Sequence, residues 1–162
     1  MRENELQLDG CIVEATTEFN RVSTSKMYEY WSSICDKSPD IGPQHTDFEL
    51  TDIIECTPFI MYKDVIDSGY DFRNRYWGTE IALAFSHEAT GKSLREYYSG
   101  EPLKQVLEVS NFVISGVHAV KILGKLKFVD NYKFSDFEAI YLPLFDNSGS
   151  PSRFVALYDF FV

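Results

Sequence analysis

The run Arg73-Asn74-Arg75-Tyr76-Trp77-Gly78-Thr79 constrains the fold more than any other part of this chain. It reads as a strand, rich in aromatic and charged residues, that stops at a glycine and gives way to a helix beginning on threonine. Thr90-Gly91-Lys92-Ser93-Leu94 follows as a tight turn feeding a second short helix, Leu94 to Tyr98. Upstream, Pro58 introduces the apolar run Phe59 to Ile66, Asp67-Ser68-Gly69 makes a turn, and Tyr70 to Trp77 returns beside it as a hairpin. Downstream, Glu101-Pro102 opens a longer helix, because proline is tolerated in a first turn and acid there suits the helix dipole. Leu103, Val106, Leu107, Ser110, Val113, Ile114 and Val117 mark its buried stripe. Val117 to Val129, Phe134 to Phe145 and Arg153 to Val162 then read as three strands. Asp130-Asn131 and Asp146 to Ser150 separate them with turn chemistry. The expected class is α+β: five antiparallel strands in one sheet, with the middle helices on one face.

Before the hairpin, a helix is predicted from Thr24 or Ser25, whose hydroxyls suit an N-cap, to about Asp36. Met27, Tyr30, Trp31 and Ile34 fall at i, i+3, i+4 and i+7, which is one helical face. Pro39 and Gly42-Pro43 end it, and Leu50 to Glu55 follows as a short helical segment. Residues 1–22 form an arm, either loose or a weak strand, ahead of a domain over 23–162.

Composition narrows the partners. A net charge of -10 disfavours nucleic acid and anionic membrane surfaces, both of which call for a basic face. No stretch approaches the ~20 apolar residues of a membrane span, and no apolar run follows Met1 as in a signal peptide. Cys11, Cys35 and Cys56 have no CxxC spacing and read as reduced thiols, Cys56 as a small apolar filler. The expected location is cytoplasmic.

In this setting five motifs in register resemble the stand-alone bacterial PAS domain proteins of the PAS_5 type. They are Tyr30-Trp31 on the first helix, Pro58 ahead of Asp64-Val65, and Arg75 with Gly78-Thr79. Thr90-Gly91 with Leu94, and Pro143-Leu144 before the Asp146 to Gly149 turn, complete the set. They span roughly residues 27 to 150 in order. The resemblance implies a sensor-like fold and, by analogy, a homodimer packed through the helix at 24–36. The chain departs from the family where polar Asn74 stands beside Arg75 in place of an apolar residue.

Strand alternation places Phe72, Asn74 and Tyr76 on one face of the second strand and Arg73, Arg75 and Trp77 on the other. With Phe72 toward the helices, Asn74 and Tyr76 enter the interior and need partners there, either a ligand or a backbone carbonyl or water. The expected ligand site is Asn74, Tyr76 and Tyr141, with Tyr98 and Ser110 as neighbours. Arg75 is expected in a cross-strand ion pair with an acid such as Glu138, Gly78 in a tight strand-to-helix exit, and Thr79 as the cap of that helix.

His87 and His118 raise haem ligation, but His118 lies past the stripe of the long helix, where a half-exposed structural role fits better. No P-loop, HExxH, Ser-His-Asp order or nucleotide fingerprint appears, and the residues name no cofactor. The leading reading is a sensory module that binds an unidentified small molecule, a signalling protein, or both, without turnover. One alternative is a small cone-shaped α+β enzyme using Tyr76 or Tyr141 with Asp71 in an apolar cavity. The other is a ligand-free adaptor whose first helix, with Tyr28, Tyr30 and Trp31, supplies the contact.

Overall fold

A computed structural model describes residues 5–8, 10–126 and 133–162. Its strands are β1 (Glu5–Leu8), β2 (Cys11–Ala15), β3 (Ile60–Ile66), β4 (Asp71–Trp77), β5 (Val120–Lys125), β6 (Asp136–Phe145) and β7 (Pro151–Phe161). They form one antiparallel sheet in the order β1-β2-β5-β6-β7-β3-β4. The helices are α1 (Val22–Lys37), α2 (Thr79–Phe85), α3 (Leu94–Tyr97) and α4 (Gly100–Ile114). The chain order from β3 onward is the one the sequence motifs imply, and the class is α+β.

The five expected strands are present, but the sheet has seven. Part of the N-terminal arm is a hairpin, β1–β2, added to the edge of β5 through pairs such as Ile12 with Leu123 and Val13 with Ile122. Its signal is weak because Val13 is the one fully buried residue of β2. The expected third strand is shorter, Val120–Lys125; residues 127–129 and the Asp130-Asn131 turn lie outside the described residues.

Both faces of the central strands are covered, so β6 reads as an almost unbroken buried run from Phe137 to Phe145. On one face α2, α3 and α4 pack over Phe72, Phe154, Ala139, Tyr141 and Tyr158. On the other, Met27, Trp31 and Ile34 of α1 lie on Ile60, Ile140, Leu142, Val155 and Leu157. The indole Nε1 of Trp31 donates to the carbonyl of Pro143 at 3.0 Å, which joins two of the motif residues. The stripe of α1 is therefore used on its own sheet. Tyr30 sits at the margin of that stripe, where its hydroxyl donates to Asp52 at 2.8 Å and accepts from the Glu49 amide at 3.2 Å.

Two capping expectations are corrected. α1 begins at Val22, with Arg21 as N-cap and no side-chain cap of its own; a carboxylate from the sheet takes that role. Thr79 is the first residue inside α2, and Gly78 is the N-cap, again without a side-chain cap. Gly78 is required by close approach: a Cβ there would stand 2.3 Å from the carbonyl oxygen of Pro58 and 2.6 Å from that of Thr57.

Candidate functional site

β4 carries the expected site, but its two faces do not alternate as a regular strand would. Tyr62 pairs with Tyr76, yet Lys63 pairs with Asn74, so Arg75 is an extra residue bulged out of the ladder. The bulge resets the faces. Phe72 and Asn74 point to the α2–α4 side as expected, whereas Tyr76 turns to the α1 side and Trp77 takes its place in the interior. Tyr76 therefore does not share a site with Asn74.

Arg75 does not reach Glu138. It pairs across the hairpin with Asp64 at 2.6 Å, and Asp64 also meets Arg153 at 3.2 Å. Glu138 has another task, closing the N-terminus of α1. Thr90-Gly91 is placed where the turn was expected and adds something further. The Gly91 amide donates to the Asn74 carbonyl at 2.8 Å, and the Asn74 amide donates to the Lys92 carbonyl at 3.0 Å. The turn thus pairs with the free edge of β4 and holds the segment between α2 and α3 against it.

Asn74 is the polar centre of the interior, 1% exposed. Its Nδ2 donates to the Ala89 carbonyl and to the Tyr97 hydroxyl, both at 3.0 Å. Its Oδ1 is enclosed and receives no donor among the described residues. Tyr97 and Tyr98 follow each other at the end of α3, their ring centroids 4.6 Å apart, so Tyr98 borders the site through Tyr97. Burial raises both phenols above their ordinary range. His87 completes this layer, with ring centroids 5.2 Å from both Trp77 and Tyr97. Its Nδ1 lies 2.8 Å from the Phe85 carbonyl, which makes that nitrogen the donor, and its Nε2 is enclosed without a partner among the described residues.

Sequence reasoning missed Lys63. It stands on β3 directly opposite Asn74 and is 3% exposed. Its Nζ lies 5.8 Å from the Trp77 ring centroid and 5.9 Å from that of Phe154. No acceptor for this amine is found among the described residues. Burial pulls its pKa down from 10.5 to about 7, with the charge of Asp71 opposing the shift. Asp71 itself is buried, and its Oδ1 accepts from the amides of Phe72 at 2.8 Å and Arg95 at 3.3 Å. A lysine inside an apolar run on a strand paired on both sides was the signal available for this residue.

Tyr141 and Ser110 are both buried, on β6 and α4 respectively. The hydroxyl of Tyr141 is engaged with that of Tyr158, and its ring stacks on Phe154 at 5.5 Å. Of the two tyrosines weighed for proton transfer, Tyr76 lies on the α1 side of the sheet, and the Tyr141 hydroxyl is hydrogen-bonded to that of Tyr158. His118 is exposed, just before β5. Among the described residues no group of three or more His, Cys, Asp and Glu can hold a metal ion. No described helix is long and apolar enough to cross a membrane.

No protein-family model and no curated protein matches this chain. Among solved structures it is similar to a sensory box histidine kinase/response regulator from Burkholderia thailandensis, at 12% identity and a TM-score of 0.37. That match covers 69% of this chain and 84% of the other. It is also similar to the PAS domain of an HTR-like protein from Haloarcula marismortui, at 14% identity and a TM-score of 0.35, over 68% and 91% of the two chains.

Proposed function

We propose that this protein is a PAS_5-like sensory or signalling domain that binds a small molecule between its sheet and α2–α4 and does not turn it over. One observation carries the reading: Asn74, fully inside the protein, presents an oxygen with no donor among the described residues. An interior hydrogen-bonding group left unmade costs about 1–3 kcal/mol, so a ligand donating to that oxygen recovers the loss. Lys63 across the ladder, its amine over the Trp77 and Phe154 rings, and His87 beside Tyr97, with an enclosed ring nitrogen unpartnered among the described residues, belong to the same aromatic layer. The ligand this arrangement favours is flat and largely apolar, with a few polar atoms on one edge. Tyr98 borders that ligand, while Tyr141 and Ser110 belong to the packed wall behind it.

Native mass spectrometry of gently purified protein tests the reading, together with Asn74→Leu, which keeps the volume and removes the polar anchor. A retained small molecule that is lost in the variant supports it. A wild-type protein recovered empty from every preparation overturns it in favour of the adaptor reading, in which signals pass by surface contact alone. Because α1 spends its apolar stripe on its own sheet, a homodimer through residues 24–36 would have to be built on that helix's polar side.

A further inference from the structure

We propose that a second ligand site lies on the α1 face of the sheet, where Arg153 and the Tyr62 hydroxyl take the carboxylate of a small acid and Phe48 and Leu50 its apolar body. The inference does not depend on the interior reading, because it uses the opposite face.

The sheet supplies one wall of this site. Tyr62 lies on the α1 face of β3, Asp64 follows two residues later on the same face, and Arg153 on β7 stands opposite Asp64 in the ladder. The segment after α1 supplies the other wall. Together His45, Phe48, Glu49, Leu50, Tyr62 and Arg153 line an open cleft of about 480 Å³. Phe48 and Tyr62, both buried, meet with ring centroids 5.0 Å apart and give it an aromatic base.

Donors exceed acceptors here. Asp64 Oδ1 meets Nε of Arg75 at 2.6 Å and Nε of Arg153 at 3.2 Å, so one carboxylate answers two guanidinium groups. Arg153 Nη1 donates to the Tyr62 oxygen at 3.1 Å. Nη2 of Arg153 and both Nη groups of Arg75 have no acceptor among the described residues. Tyr62 is 6% exposed, and its own O–H proton donates to no acceptor among the described residues either. Burial raises this phenol above its ordinary range, so the proton stays in place. A buried hydroxyl that only accepts leaves one hydrogen bond for a group from outside the chain.

His45 registers the surplus of positive charge. Partial burial, then the charge of Arg153, hold it below its ordinary range, with Arg75 acting in the same sense and Asp146 against them. Glu49 decides the ligand class. As the acid among the lining residues it disfavours a polyanion such as phosphate. A single carboxylate instead offers two oxygens to the Arg153 fork and the Tyr62 hydroxyl, and leaves its apolar body to Phe48 and Leu50.

The test is titration of the labelled protein with sodium benzoate at pH 7, read by calorimetry and by NMR at the arginine Nε–H groups, with benzamide and inorganic phosphate compared. Benzoate is expected to bind at least about tenfold more tightly than benzamide, which keeps the ring and loses the charge, and more tightly than phosphate. Tyr62→Phe keeps the ring against Phe48 and is expected to weaken benzoate about three- to tenfold, and Arg153→Gln by more than about tenfold. If Arg153→Gln fails to fold, Tyr62→Phe carries the test alone. Benzoate bound no more tightly than benzamide, or equally well by Tyr62→Phe, overturns the proposal. Phosphate bound more tightly than benzoate overturns the ligand class. Benzoate binding that survives Tyr62→Phe and is lost in Asn74→Leu places the acid in the interior and overturns this site. Binding that is kept in Asn74→Leu and weakened in Tyr62→Phe supports this site, whatever becomes of the interior reading.

Discussion

Glu138 on β6 accepts a hydrogen bond from the hydroxyl of Thr24, in the first turn of α1, although 113 other residues separate them in the chain. The same carboxylate accepts from the amides of Asn20, at 3.0 Å, and Arg21, at 3.0 Å. Glu138 is 1% exposed, so a strand supplies the cap that the helix lacks in its own sequence. Asp159 on the neighbouring β7 strengthens the junction by pairing with Arg21 at 3.0 Å and accepting from Ser23 at 2.6 Å.

Glu138→Gln is therefore expected to destabilise the protein by about 2–4 kcal/mol, since an amide nitrogen must face donors where an oxygen stood. Urea unfolding followed by circular dichroism measures it. A loss below about 0.5 kcal/mol would show that this carboxylate does not hold α1 to the sheet.

Trp31→Ala separates a core role for α1 from an interface role. Trp31 is 5% exposed, packs over β6 and β7, and donates to Pro143. Removing a side chain of that size from a packed layer is expected to cost about 3–5 kcal/mol. Light scattering of the folded variant is expected to give the same mass as the wild type. A change in mass with stability retained would place Trp31 in an interface between copies.

What was legible in the sequence was what a single period or a single breaker decides. Pro58, the Asp67-Ser68-Gly69 turn and Gly78 bracket β3 and β4, and the helical spacing of Met27, Trp31 and Ile34 matches the buried stripe of α1. The candidate site was half legible, because Asn74 faces the interior as alternation requires. Tyr76 was not, since one bulged residue at Arg75 exchanges the faces beyond it and leaves no mark in a period-two pattern. Lys63 and Glu138 escaped for a different reason. Both are charged residues at buried strand positions, and composition alone assigns charge to the surface. Their roles follow from what stands opposite them, Asn74 and the α1 N-terminus, which only the sheet register brings near.

The hydroxyls of Tyr141 and Tyr158 share one hydrogen bond inside the core. Burial raises both phenols above their ordinary range, so both are neutral through the physiological range. Tyr158→Phe strands the Tyr141 hydroxyl and is expected to cost about 1–3 kcal/mol, whereas Tyr141→Phe combined with Tyr158→Phe removes both groups and costs less than the two single losses added together. Thermal unfolding of the four proteins gives the coupling. Strict additivity would show that each hydroxyl has a partner of its own.

Lys63 sets a pH dependence whose sign follows from its displaced pKa. In the folded protein the amine titrates near 7, against 10.5 for an ordinary lysine. Between those values the unfolded chain binds the extra proton, so stability rises with pH across that window. Below pH 7 both states are protonated and the cost of burying the ammonium is fully present; above about 10.5 both are neutral and the cost is gone. Lys63→Met removes the cost while keeping a flexible apolar side chain between Trp77 and Phe154, and Asp71 retains its two backbone donors. The variant is expected to exceed the wild type at pH 6 by on the order of 2–4 kcal/mol, with the difference shrinking steadily toward pH 10. Paired urea titrations at pH 6, 7, 8 and 9 cancel the contributions of the other titrating groups, which the two proteins share. A difference that stays constant across that range would mean Lys63 keeps its proton in the folded state.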